Sequence, residues 1–133
     1  MNLLLTYLAV AVTFVAVDMI WLGSMVDRLY RPVLGDMLRT APSLPAAAVF
    51  YLIYPVGLVI FAVLPAQQEH SALKAFILGM MFGCFTYATY DLTNQATLRN
   101  WSTALTAADI CWGTFLAGLS GWLGYLAAQR LGY

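Results

Sequence analysis

Residues 3–25 read LLLTYLAVAVTFVAVDMIWLGSM, with Asp18 the one charged residue among them. A bilayer's hydrocarbon core needs about 20 mostly apolar residues to be crossed as a helix. This stretch is long enough, and too long for the apolar region of a cleaved leader. It also lacks the positively charged start of one, so it is read as a retained first span. Three more stretches repeat the pattern, giving segments at about 3–25, 44–64, 72–95 and 103–128. Pro65 closes the second. The expected architecture is an all-α integral membrane four-helix bundle. Its loops are short, both termini lie on the same side, and residues 1–133 form a single transmembrane domain.

Composition agrees. Of 133 residues, 62% are hydrophobic and 9% charged, whereas a soluble domain carries about 25% charged and about 45–50% apolar residues. Net charge is zero, so nothing points to nucleic acid. Loop one, 26–43, holds Arg28, Arg31 and Arg39, with Pro32, Gly35 and Pro42 as breakers. Loop three, 96–102, holds Arg99. Against these stand Lys74 and Arg130, and the bias puts loops one and three in the cytoplasm. Tyr30, Trp101, Trp122 and Tyr133 suit the aromatic belts at the membrane surface. Cys84 and Cys111 read as small buried hydrophobes, not as a disulfide. Pro55 removes an amide donor inside the second span and frees the carbonyl of Tyr51, so a kink is expected there.

Small residues mark packing faces. Gly79 and Gly83 form GxxxG in the third span, and Gly113, Ala117 and Gly121 form a ladder in the fourth. Such faces let backbones approach closely, within the bundle or in a homodimer.

Three of the six acidic residues fall inside spans: Asp18, Asp91 and Asp109. An aspartate at mid-membrane costs about 2.5–3.5 kcal/mol on insertion scales, so such residues usually face the bundle interior. Counting at about 1.5 Å per residue, all three lie beneath loops one and three. Asp91 shares a four-residue repeat with Gly79, Gly83 and Tyr87, and Asp109 with Gly113, Ala117 and Gly121. Asp18 shares its stripe with Ala11, Val15 and Leu22. Asp18-Met-Ile-Trp21 and Asp109-Ile-Cys-Trp112 both read D-x-x-W, which suits an indole shielding an acid on its own helix face. Tyr51 and Tyr54 lie in the same half of the membrane. A polar pocket built from all four helices is therefore expected.

That pocket supports several chemistries. Asp18, Asp91 and Asp109 are the candidate catalytic residues, for handling protons as a general acid or a proton-coupled site. Trp21, Tyr51, Tyr54, Tyr87, Tyr90, Asn94 and Trp112 are candidate ligand-binding residues. The expected partner is a membrane lipid, its phosphate drawn by loop-one arginines. The alternatives are a small proton-coupled transporter working as a dimer, a non-catalytic accessory subunit, and a structural network paired with Arg99 or a loop-one arginine. No metal is expected, because no histidine accompanies the carboxylates. No cofactor is expected either: no span carries a histidine, and there is no P-loop, GxSxG or HExxH.

The string from Tyr90-Asp-Leu-Thr-Asn to Trp101, followed by Asp109-Ile-Cys-Trp112-Gly113, resembles an uncharacterised bacterial family of small predicted membrane proteins, a domain of unknown function. Asp18-x-x-Trp21-Leu-Gly23 and Phe50-Tyr51-x-x-Tyr54-Pro-x-Gly57 fit the same family. The resemblance implies a bacterial inner-membrane protein and supplies no activity.

Overall fold

The structure is a computed structural model that describes residues 2–131; Tyr133, assigned above to an interfacial belt, lies outside them. Four helical runs are long and apolar enough to cross a membrane: α1 (Leu3–Met37), α2 (Leu44–Gln68), α3 (Ala72–Thr97) and α4 (Thr103–Leu131). Among the described residues there is no strand. The chain is an all-α membrane bundle.

Two runs outlast the prolines expected to end them, and for one reason. Val26–Tyr30 and Val59–Val63 are π-helical turns. Each precedes a short α turn with proline in its first two positions, Arg31–Leu34 with Pro32 and Leu64–Gln68 with Pro65. A proline ring clashes with the carbonyl four residues back and offers no N–H. In both places the residue before the proline bonds five residues back instead, Arg31 to the Val26 carbonyl and Leu64 to the Val59 carbonyl. The wider turn makes room for the ring, and the chain then restarts an α turn where proline is tolerated. Loop one is consequently helical as far as Met37, and α2 continues to Gln68. Pro55 also sits inside α2. There the carbonyl of Leu52 accepts a hydrogen bond from the Tyr7 hydroxyl at 2.8 Å.

The turn after α2 closes on His70, whose φ is 52°. The His70 and Ser71 amides return to the carbonyls of Gln67 and Ala66. This is the Schellman arrangement, with histidine where glycine usually stands.

α4 is the central helix and carries the longest row of buried residues. The glycine ladders meet in its seam with α3. A Cβ on Gly79 would stand 2.6 Å from the carbonyl oxygen of Ala117, and one on Gly83 would overlap Gly113 and Ala117. Gly121 abuts the Ala75 carbonyl in the same way. Both small-residue faces are thus occupied within the chain. The buried stripe of α1 is Thr6, Val10, Phe14 and Asp18. Ala11 and Val15, expected on that stripe, line a shallow apolar groove against Ala48 and Leu52 of α2. Cys111 is exposed on the outer surface instead of buried, and both cysteines are free.

Candidate functional site

The three span aspartates all turn inward: Asp18 is 6% exposed, Asp91 0% and Asp109 5%. For Asp18 and Asp109, the donors that reach them explain why burial is tolerated. The Tyr51 hydroxyl donates to Asp18 Oδ2 at 2.5 Å, and the Trp112 indole N–H donates to Oδ1 at 3.0 Å. The Tyr30 hydroxyl donates to Asp109 Oδ1 at 2.5 Å, and itself accepts from the Trp21 indole at 2.9 Å. Charge-assisted bonds of this kind are roughly twice as strong as neutral ones.

The D-x-x-W motifs do not shield their own acids. They exchange partners. The α1 acid takes the indole of α4, and the α4 acid takes the indole of α1 through Tyr30. The two indoles stack between them, 4.5 Å apart at 7°. Antiparallel neighbouring helices make this crossing possible, because each motif runs toward the other's acid.

Tyr30 was assigned to an interfacial belt, and its place in the site is a correction. On an uninterrupted α-helix, nine residues at about 100° each would set Tyr30 opposite Trp21. The π-helical turn Val26–Tyr30 changes that register. The arginine pairing raised above is absent: among the described residues the ion pairs are Arg31–Asp27 and Lys74–Glu69.

Asp91 is different again. Neither of its oxygens meets a hydrogen-bond donor, and Asp109 is its acidic neighbour. Two acids thus lie side by side inside the bundle, and one of them has no bonded partner.

Beside this network lies a cavity of about 660 Å³. Asp18, Leu22 and Tyr30 line it from α1, and Asp109 and Trp112 from α4. α2 supplies Ala46, Phe50 and Tyr54, and α3 supplies Thr86, Tyr87 and Tyr90. Its floor is the 2.8 Å bond between the Tyr54 and Thr86 hydroxyls, which ties α2 to α3. Toward loops one and three its rim is open, with Phe50 40% and Tyr90 56% exposed and Ala46 exposed beside them. Ala46 and Phe50 belong to α2 and Tyr90 to α3, so the opening lies between those two helices.

The chain from residue 3 to residue 126 matches the model of a family described as a predicted membrane protein (DUF2177). The chain belongs to that family. No curated protein and no solved structure matches it.

Of the residues singled out in this family member's sequence, Asp18, Tyr54, Tyr87, Tyr90, Asp109 and Trp112 line the cavity. Trp21, Tyr51 and Asp91 stand behind it, the first two orienting its acids and Asp91 set against Asp109. Asn94 is not on the wall. Trp101, expected at the surface, is buried: its indole donates to Thr106 at 3.0 Å and its ring meets Tyr90 edge-on. Sequence reasoning missed Thr86 and Tyr30. Thr86 had a signal, since it lies one turn from Phe82 and Tyr90 on α3. For Tyr30 the signal was the proline two residues on. No metal-binding group occurs among the described residues.

Proposed function

We propose that the protein binds a membrane amphiphile whose apolar part enters between α2 and α3 and whose polar end meets Asp18 and Asp109. The observation that carries this reading is the cavity open between α2 and α3, with two buried carboxylates on its inner wall. Its volume of about 660 Å³ falls within the range of about 300–1,000 Å³ usual for small-molecule sites. Apolar and aromatic side chains make up most of the wall and a few polar groups converge at one end, as in such sites generally. The arginine bias of loops one and three supports a cytoplasmic-side opening in a bacterial inner membrane.

The Asp91–Asp109 pair favours a second step, proton transfer to or from the bound molecule as a general acid or base. Proton-coupled transport would also need a route to the other face. Beyond the Tyr54–Thr86 floor the helices close on Gly79, Gly83 and Ala117, which favours a one-sided site.

The test is cross-linking in bilayers doped with photoactivatable alkyl amphiphiles of neutral, anionic and cationic head group. Adducts at the cavity residues Leu22, Thr86 or Tyr87 are expected. Adducts confined to the outward residues Ile20, Ile53 and Phe85 would sink the proposal.

A further inference from the structure

We propose that the polar end of the occupant is cationic, an ammonium group, and not a phosphate. The proposal deepens the binding reading above and rests on it.

The donors nearest the carboxylates are already committed: Tyr51 and Trp112 to Asp18, Tyr30 to Asp109, and Trp21 to Tyr30. Ionised carboxylate oxygens have about four acceptor sites between them. Asp18 and Asp109 thus keep unused acceptor sites on the cavity wall, where only the Tyr87 and Tyr90 hydroxyls remain as uncommitted side-chain donors, and an occupant that donates can bond to both acids. An ammonium group donates; a phosphate diester accepts and would oppose like charge.

The charged and titratable groups around the site point the same way. They are Asp18 and Tyr30 on α1, Tyr51 and Tyr54 on α2, Tyr87, Tyr90 and Asp91 on α3, and Asp109 on α4. No lysine, arginine or histidine lines the cavity. The arginine that does have a partner, Arg31, is held by Asp27 on the exposed surface at 2.8 Å. The sequence-based expectation of a phosphate drawn by loop-one arginines therefore finds no cation inside.

Asp91 supplies an independent observation. It is fully buried and its oxygens meet no donor, while its side chain is set against Asp109. A buried acid pair without a cation lacks a positive charge that something must provide. An ammonium group beside Asp109 would supply it. The wall adds to the attraction, since the faces of Trp112 and the tyrosines suit a cation within about 6 Å.

The experiment uses the full chain in phosphatidylcholine nanodiscs. Tryptophan fluorescence, to which the Trp21–Trp112 stack beside the cavity contributes, is followed while dodecylammonium, dodecanol or dodecyl phosphate is added at matched mole fractions. Dodecylammonium should bind at least tenfold more tightly than dodecanol, with dodecyl phosphate weakest. The double variant Asp18→Asn, Asp109→Asn should erase that preference. Should it fail to fold, Ala46→Leu, which narrows the mouth without adding an indole, should weaken all three probes together. Equal or tighter binding of dodecanol or dodecyl phosphate would overturn the cationic assignment and leave the binding site standing. If none of the three binds, the assignment and the binding reading both fall.

Discussion

The two ends of the α2–α3 pair behave differently. Toward loop two, Gly57 receives the ring of Phe82, and α3 lies backbone to backbone with α4 along Gly79, Gly83 and Gly113. Toward loops one and three, α2 leans on α1 and leaves α3, so Ala46, Phe50 and Tyr90 frame a gap. Residue size explains the contrast. Where glycine and alanine face each other, helices close and dispersion holds them. Where Tyr54, Tyr87 and Trp112 crowd the interior, the helices are held apart, and hydroxyl and indole groups hold the interior together instead. The closed half is not wholly apolar either. Gln129 donates to the buried Gln67 Oε1 at 2.6 Å, and Gln67 donates in turn to the Tyr125 carbonyl at 3.4 Å.

This contrast can be broken from the closed side first. Gly79→Leu should have the largest effect, about 3 kcal/mol of lost stability through overpacking against a backbone that cannot yield. Thermal unfolding in mild detergent would measure it; an unchanged midpoint would mean the α3–α4 seam is looser than described. Next is Tyr30→Phe. It removes the donor to Asp109 and strands the Trp21 indole, at a cost of about 2 kcal/mol. Indole-specific near-ultraviolet circular dichroism should lose the signal of the Trp21–Trp112 stack. A smaller change of opposite sign is expected for His70→Gly. Relieving the left-handed backbone should add about 1 kcal/mol, read as a higher unfolding temperature. Smallest is Ala46→Trp at the open rim, within about 0.5 kcal/mol of wild type because it meets no packed neighbour. A large loss there would show that the gap closes in the bilayer.

Much of this was legible in the sequence because it depends on local pattern. Apolar length gives the four spans. Four-residue spacing set Asp91 and Asp109 on the close-packed faces, and both are buried there. What was hidden depends on the third dimension. Pro32 and Pro65 read as stops, since a π-helical turn that absorbs a proline leaves no compositional mark. Tyr30 was lost with them, as its place in the site follows from that turn. The D-x-x-W motifs were visible, but their exchange of partners requires knowing that α1 and α4 are antiparallel neighbours. Asp18 was read with Ala11 and Val15 because stripes three and four residues apart differ only slightly in direction. Packing chose the one through Val10 and Phe14.

On this reading the half beneath loops one and three holds an occupied cavity open between α2 and α3. Native mass spectrometry of the wild-type protein and of Ala46→Trp, both purified in mild detergent, tests it most directly. The wild type should carry one additional small-molecule mass in a fixed ratio, and Ala46→Trp should fold equally well and lack it. Identical spectra, with no retained mass or the same mass on both, would contradict the account.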